Sequence, residues 1–418
     1  MGKTPEALFK EREKRIKDAI QLKVPDRVPT LIDFGYLAAR YAGMTVEEAF
    51  YDSEKWVKAN RKIVVDFQPD IFQCNLFTSG AVYETIDTKL MKWPGHGVSP
   101  DHTHQYVEGE YMTADEYDAF IEDPADFIVR TYLPRTCGTL ASLQKLPHLF
   151  GLCGIGRGIA PISIFTEPEI MTAFESIVKA AQEMRKWDDA WMALVKEMEE
   201  LGFPSITGRG IRAPFDQISD FLRGMRGTML DMYRQPDKLL EAMQKLLSIS
   251  LKEARSMTKT SGHNLLFMAP HRGADGFMSL KQFEKFYWPG LKTAIIALVD
   301  TGFTPYMFWE GDYTSRLEYL LELPEGKVLN RFDMTDMVKV KEVLGGHQCI
   351  AGGIMPSLLQ TGTVQEVRDQ CKKLIDMAGK DGGYIMTTSC VMDDAKLENV
   401  RAMIDFTREY GVYKLRTK

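Results

Sequence analysis

The sequence predicts a parallel α/β fold closed into a (β/α)8 TIM barrel, with an N-terminal helical extension and an inserted segment. Short apolar strand patterns alternate with helical patterns about eight times along the 418 residues. A chain of this length exceeds a typical single core, but such barrels reach it with insertions. We therefore expect one barrel domain over residues 1–418, with functional side chains at the carboxyl ends of its strands.

The chain begins with a helical extension, residues 1–25, whose charged amphipathic helix over residues 4–22 does not have the pattern of a signal peptide. Eight strands follow in the predicted order 30–34, 69–74, 203–209, 264–268, 306–309, 327–332, 348–352 and 383–388. Helical patterns separate them, the longest at 167–200, and others at 216–225, 279–296 (with Ser279 as N-cap), 336–343 and 394–410. Residues 85–115 are irregular and rich in Pro and Gly, which predicts an inserted lid over one end of the barrel.

Composition excludes several classes of protein. The chain is 44% hydrophobic and 26% charged, and no apolar run approaches the roughly 20 residues of a membrane span. A net charge of −6 without a basic stripe argues against nucleic-acid binding. The six cysteines are scattered, as in reduced proteins without a disulfide framework, so we expect a cytoplasmic location.

The most informative stretch is Gly302–Tyr313, in which the aromatic-rich strand of residues 306–309 ends on Glu310-Gly311-Asp312. Carboxylates where a buried strand stops and a helix starts are in position for chemistry in a parallel α/β fold. Glu310, on the strand end, is the stronger candidate. Asp312 is equally compatible with capping the helix that starts near Thr314.

The residues at the predicted strand ends form a set that could converge on one mouth of the barrel: Asp33, Cys74, Arg209, His271, Glu310, Asp333, Gly353 and Cys390. Imidazole, thiolate and carboxylate are zinc ligands, and a catalytic zinc needs three of them from the protein. No CxxC or HExxH spacing supports a metal. Alternatives stay open: Cys390 as a small buried hydrophobe, His271 bonded to a loop carbonyl, and Asp333 as the cap of helix 336–343.

Several stretches resemble the uroporphyrinogen decarboxylase superfamily, which includes the corrinoid-dependent methyltransferases. They are DRVP at 26–29, FLRGMRGTMLDMYRQPDKLLEAM at 221–243, FMSLKQFEKFYWPGLK at 277–292, residues 302–312, AGGIMPSLLQTGTVQEV at 351–367 and GGYIMTTSCVM at 382–392. Their order and spacing agree with the superfamily over most of the chain. The resemblance implies a single (β/α)8 barrel with N-terminal additions.

The decarboxylases of this superfamily carry an arginine-rich motif of the form MRQAGRY after the first strand. Residues 33–41 read DFGYLAARY here and lack the clustered arginines that a porphyrinogen with many carboxylates needs. The resemblance therefore argues against decarboxylation of that substrate.

The thiol-methylating branch has His-x-Cys on the central strand and a later Cys as zinc ligands; here these positions are Phe308, Glu310 and Cys390. The exchange makes the site harder and more acidic. It resembles the ether-cleaving branch, described with a Glu-x14-Glu-x20-His pattern. Glu310 is followed by Glu325 after fourteen residues and His347 after a further twenty-one, but both precede their strands and so belong at the opposite end of the barrel.

The resemblance thus implies a methyltransferase of anaerobic O-demethylation that cleaves a methyl ether, such as a methoxylated aromatic, and transfers the methyl group to Co(I) of a separate corrinoid protein. The chain has no Asp-x-His-x-x-Gly cobalamin motif, so the corrinoid must come on a partner. We expect zinc, or a protonated Glu310, to polarise the ether oxygen. The predicted residues are Glu310, Asp333 and His271 for catalysis, Glu310, Cys390 and His271 for zinc, and Phe34, Tyr36, Phe308, Trp309, Arg209 and Tyr313 for the substrate.

Two alternatives stay open: transfer from a methyl-corrinoid to a thiol or tetrahydrofolate acceptor, and a decarboxylase-like or non-catalytic relative. The aromatic residues can equally be core. The methyl donor and the oligomeric state are open, a homodimer among the candidates.

Overall fold

The fold is a closed barrel of eight parallel strands, which confirms the predicted class. The computed structural model describes residues 2–73, 79–154, 162–206, 208–257 and 264–413. The barrel strands are, in order, Leu31–Asp33, Ile71–Gln73, Ser205–Ile206 with Gly208–Arg209, Leu265–Met268, Thr304–Trp309, Leu329–Phe332, Cys349–Gly352 and Tyr384–Ile385. Each pairs in parallel with the next along the chain, the third through its two segments.

The barrel closes between its last and first strands. Met386 forms a parallel bridge with Thr30, in which Leu31 N donates to the Met386 carbonyl at 2.9 Å and Met386 N donates to the Pro29 carbonyl at 2.8 Å. Because all eight strands run the same way, their carboxyl ends meet at one rim of the barrel.

The helices lie between and outside these strands. The α-helices are Pro5–Ile20, Leu37–Ala42, Glu48–Tyr51, Ser53–Phe67, Gly80–Ile86, Tyr117–Glu122, Pro124–Phe127, Leu133–Thr136, Pro168–Glu200, Pro214–Gln217, Gly224–Arg234, Pro236–Ser256, Leu280–Gln282, Trp288–Asp300, Met337–Leu344, Pro356–Thr361, Val364–Leu374 and Leu397–Tyr410. Single π-helical turns at Ile128–Tyr132, Ile218–Leu222, Phe283–Tyr287 and Ile375–Gly379 continue α-helices, and 3-10 helices cover Gly138–Lys145, Leu149–Gly154, Ile162–Thr166 and Thr314–Glu322. None of the described helices is both long and apolar enough to cross a membrane.

Local signals explain where several helices begin. Ser279 caps its helix through a capping box with Gln282, as predicted. The segment after the central strand is a 3-10 helix instead of an α-helix. Asp336, and not Asp333, is the N-cap of Met337–Leu344, since its side chain accepts from the N–H groups of Val338 and Lys339.

The inserted segment contains a small sheet in which Met91–Pro94 pairs with Gly97–Val98 and Gln105–Tyr106. It packs through Trp93 on Tyr36, Val46 and Phe50, next to the end of the first barrel strand. Its function as a lid stays a prediction.

The N-terminal helix Pro5–Ile20 closes the amino end of the barrel. Its Ile16, Ala19 and Ile20 pack against an interior layer of apolar side chains: Leu31, Ile71, Ile206, Leu265, Tyr306, Leu329, Cys349, Ala351 and Ile385. The fully buried Asp70 accepts from Arg15 at 2.7 Å, from Arg27 at 2.6 Å and from Thr30 N at 2.9 Å. These contacts fasten the helix to the amino end of the barrel, opposite the carboxyl ends of the strands.

Candidate active site at the carboxyl end of the barrel

A second layer of interior side chains lies above the apolar one, towards the carboxyl ends of the strands. Side chains alternate between the two faces of a strand, so residues two positions after the apolar layer also face inwards. These positions hold Asp33, Gln73, Phe267, Phe308 and Arg331. The interior thus changes from apolar to partly polar within two residues of strand.

Arg331 lies at the centre of this layer and is only 1% exposed. Its Nε donates to the Thr388 carbonyl at 2.9 Å, and its terminal nitrogens donate to the Tyr306 and Thr388 hydroxyls, each at 3.2 Å. Its guanidinium is 4.9 Å from the ring centre of Phe308 and 4.0 Å from the Asp33 carboxylate. Arg331 therefore connects the sixth strand to the first, fifth and eighth across the barrel.

Two carboxyl groups stand on the rim above Arg331, at the ends of the fifth and sixth strands. Glu310 is exposed, and its N–H donates to the Pro270 carbonyl at 3.1 Å. Asp333 is half-buried and accepts from Gly311 N at 3.1 Å. Burial raises the pKa of Asp333, because the charged carboxylate loses hydration. The two strand ends are held together by a hydrogen bond from Asp333 N to the Trp309 carbonyl at 3.2 Å.

Cys390 lies in the same electrostatic neighbourhood. Burial raises the pKa of its thiol, Arg331 opposes that shift, and the charges of Asp333 and Glu310 add to it. The thiol form is therefore favoured, which is the less reactive and less metal-binding form.

His271, after the fourth strand, belongs to a different cluster. Its Nε2 is 2.9 Å from Asp220 Oδ2, and its Nδ1 is 3.1 Å from the Ala269 carbonyl and 3.8 Å from the buried Asp216. Burial alone would lower the pKa of His271, but Asp216 and Asp220 raise it to about 9. The ring is thus a cation near neutral pH, and both of its nitrogens are occupied.

The structure does not bring the predicted zinc ligands together. In the ranges of the chain that the structure describes, no group of three His, Cys, Asp or Glu side chains is arranged to hold a metal ion. A histidine that binds a metal needs an unprotonated ring nitrogen, whereas His271 is charged and paired with carboxylates. Glu310 and Cys390 share the rim, but His271 does not complete a site with them in this arrangement. Zinc stays a prediction.

The predicted aromatic residues divide between the two faces of the barrel wall. Only Phe308 faces inwards, with Phe267 beside it at 6.3 Å between ring centres. Phe34 packs outwards on Phe67 at 5.9 Å. Trp309 also lies in the outer layer, where its Nε1 donates to Asn330 at 3.0 Å.

Tyr313 is fully buried beside Trp309, with 5.0 Å between the ring centres, in the same outer layer. Tyr36 is buried under the inserted segment, with its hydroxyl 2.5 Å from His104 Nδ1.

The remaining candidates are placed as follows. Arg209 lies on the third strand, paired with Phe267, but its side chain is outside the described part of the chain, and so is the whole of Cys74. Asp312 accepts from Thr314 N at 2.8 Å in a local turn. His347 Nε2 donates to the Leu323 carbonyl at 3.1 Å. The residue precedes the seventh strand, so it lies at the amino end, as predicted.

Comparison with known proteins gives the family. The family model described as Uroporphyrinogen decarboxylase (URO-D) matches residues 168–410, which is more than half of the chain. The chain belongs to the uroporphyrinogen decarboxylase family. A solved structure with a similar fold is a methyltransferase from Methanosarcina mazei, at 15% identity and a TM-score of 0.62, with 96% of this chain and 98% of that chain covered. No curated protein sequence matches.

The region of this chain that the family model matches contains Glu310, Arg331, Asp333 and Cys390. The first two barrel strands precede that region. The segment after the first strand contains one arginine, Arg40, which is exposed. Its side chain donates to the backbone carbonyls of Asp393 and Asp101 at 3.1 and 3.3 Å. It therefore lies along the rim and does not line the interior.

Sequence reasoning missed the residues that make the interior polar. Arg331 lies in the buried strand Leu329–Phe332, and an arginine inside a buried strand was the signal that could have identified it. Side chains alternate between the two faces of a strand, but this alternation identifies Gln73 and Phe267 only once it is known which face of each strand points inwards.

Proposed function

We propose that this protein is a methyltransferase that cleaves a methyl ether, preferably of a methoxylated aromatic compound, and passes the methyl group to a corrinoid carried by a separate protein. The observation that carries this proposal is the carboxyl pair Glu310 and Asp333, held at adjacent strand ends above the inward-facing Phe308. The fold shared with a methyltransferase supports it.

The chemistry required of this chain is proton delivery to the ether oxygen. An aryl methyl ether reacts slowly because its leaving group is a phenolate, and a proton on the oxygen allows a neutral phenol to leave. The carboxyl proton moves to the ether oxygen, the O–CH3 bond breaks, and its electron pair stays on that oxygen. The corrinoid, when bound, supplies the nucleophilic cobalt that accepts the methyl group.

Asp333 is the better proton donor of the pair, since its half-buried side chain and raised pKa favour the protonated form. Glu310, at the exposed rim, exchanges protons with solvent and can restore that proton after each turnover. His271 is a positioning residue in this scheme: its ion pair with Asp220 fixes the loop that follows the fourth strand. No step passes through zinc.

The test is an anaerobic spectroscopic titration of the purified protein with a Co(I) corrinoid and a panel of donors: methoxyarenes, methylamines, methanol and betaines. We expect a methoxyarene to give methyl-Co(III). In Asp333→Asn and Glu310→Ala the rate should fall about 100-fold or more, the usual scale of general acid catalysis. Asp312→Asn is the matched control, because its carboxylate is occupied by a local turn.

The alternative direction gives a different result. If no donor methylates the corrinoid, but a preformed methyl-corrinoid loses its methyl group to an added thiol or tetrahydrofolate, the protein acts on the acceptor side and the proposal is wrong. Unchanged rates in both rim variants would remove the carboxyl pair from the mechanism.

A further inference from the structure

We infer that the methyl donor carries an anionic oxygen, a carboxylate or phenolate, that binds Arg331 at the floor of the barrel mouth. The inference rests on the proposed function for the location of the substrate, and it adds the substrate's chemical class. Its basis is the coordination of Arg331 compared with that of the other buried arginines.

Of the four other buried arginines in the described chain, three (Arg15, Arg223 and Arg316) bond carboxylates directly. The fourth, Arg12, donates to the neutral oxygens of Gly202 and Gln68 at 2.6 and 2.7 Å, at the amino end of the barrel. Arg15 contacts Asp70 at 2.7 Å, Asp26 at 2.5 Å and Glu11 at 2.8 Å. Arg223 contacts Asp231 at 2.7 Å and also bonds Glu110. Such short contacts are what a charge removed from water requires.

Arg331 is buried to the same degree but differs in its partners. Its hydrogen bonds go to neutral oxygens, at 2.9 to 3.2 Å, and its nearest carboxylate contact in the described chain is Asp33 at 4.0 Å. Its terminal nitrogens carry four N–H groups, and the bonds to Tyr306 and Thr388 use two of them. The guanidinium can therefore donate to a further anionic group. A carboxylate suits it, because its two oxygens match the fork of guanidinium N–H groups.

Gln73 is a second, independent sign of an incomplete polar layer. Its side chain is 7% exposed and faces the interior next to Asp33 on the paired strand, and its Oε1 has no hydrogen-bond partner within the described chain. The buried hydroxyl of Thr387, two residues after the interior Ile385, has none either. Buried polar atoms without partners are costly, and a ligand with polar substituents would satisfy them.

The position of Arg331 also fits the proposed chemistry. Asp333 and Cys390 are half-buried and follow the ends of their strands, and the Phe308 ring centre lies 4.9 Å from the guanidinium. An arene placed against Phe308 would direct its anionic group down to Arg331 and its methoxy group up to the carboxyl pair. The ring is thus oriented by its two ends.

The experiment is calorimetric binding, without any corrinoid, of 4-methoxybenzoate, its uncharged methyl ester and methoxybenzene to the wild-type protein. A charged hydrogen-bonded pair favours the anion by about 10-fold to 100-fold over both neutral compounds. Arg331→Gln should reduce that preference to about one, and Arg331→Lys should retain part of it. Arg223→Lys is the matched control, a buried arginine outside the barrel that should leave the preference unchanged.

Several outcomes would overturn the inference. These are equal or tighter binding of a neutral compound to the wild type, no binding of any of the three, or an undiminished preference in a folded Arg331→Gln. If Arg331→Gln does not fold, the wild-type ligand series still tests the anion preference, and Arg331→Lys tests whether Arg331 is responsible for it. This experiment measures no methyl transfer. The anion preference can therefore hold while the proposed reaction fails, or fail while the reaction holds, so the two failures are distinguishable.

Discussion

The two ends of the barrel solve the problem of buried charge in opposite ways. At the amino end, Asp70 is surrounded by Arg15, Arg27 and the Thr30 N–H, all within 2.9 Å, and a helix covers the opening. At the carboxyl end, Arg331 meets Asp33 only at 4.0 Å.

The carboxyl end also holds Gln73, whose buried Oε1 has no hydrogen-bond partner among the described residues. The comparison indicates that the amino end is completed by the protein itself and serves stability. The carboxyl end has buried polar atoms without partners among the described residues, and we propose that a ligand binds there, as ligands do on this fold.

The largest expected effect comes from removing Asp70, the buried carboxylate of the amino end. Asp70→Ala leaves Arg15 and Arg27 without their shared buried partner, and we expect the free energy of unfolding to fall by about 3–5 kcal/mol. Chemical denaturation measures it. Asp26→Asn, which removes a 58% exposed partner of the same Arg15, should cost less than about 1 kcal/mol. Equal effects of the two substitutions would show that the amino end is not held by the buried carboxylate.

The second prediction concerns pH and the His271 cluster, which belongs to the open end but is internally paired. The pKa of His271 is raised from 6.5 to about 9, so its ion pairs stabilise the fold fully below about pH 6.5 and progressively less as pH rises to 9. We expect the stability difference between wild type and His271→Gln to be on the order of 3 kcal/mol at pH 6 and to vanish above pH 9.

Denaturation curves between pH 6 and 9.5 measure that difference. His102→Gln is the control, at a histidine of the inserted segment with no ion pair among those seen in the described chain. A difference that stays constant or grows with pH would contradict the assignment of a charged His271.

The fold was predictable because the strands are short, mostly apolar and bounded by turns, and because the alternation of strands with helices recurs to the end of the chain. Glu310 was predictable as a rim residue for the same reason: the apolar run stops there. The inward phase of the central strand was not predictable, because residues 306–309 carry large apolar or aromatic side chains on both faces and show no alternation that marks the outside.

The structure settles that phase through pairing. Tyr306 joins the interior layer and Trp309 the outer one, so Phe308 faces inwards and Trp309 packs on the helices. Whether the predicted zinc ligands converge could not be read from the sequence for a related reason. A position at a strand end does not give the direction of the side chain. His271 turns to Asp216 and Asp220, which lie about fifty residues earlier in the chain.

The smallest expected effect concerns how the inserted segment is attached to the open end. Tyr36→Phe removes the hydrogen bond to His104 but keeps the ring packed on Phe50 and Trp93. The free energy of unfolding should fall by only about 1 kcal/mol, whereas amide exchange should increase selectively in residues 91–106, since the bond joins this segment to the barrel. Tyr41→Phe, which removes a bond to Asp66 on an outer helix, should leave exchange in residues 91–106 unchanged. If both variants accelerated it equally, the segment would be responding to global stability. Selective acceleration in Tyr36→Phe would instead identify the Tyr36–His104 contact as the point where the inserted segment is attached to the rim. A single neutral hydrogen bond would then attach this segment, whereas several charged hydrogen bonds attach the helix at the amino end.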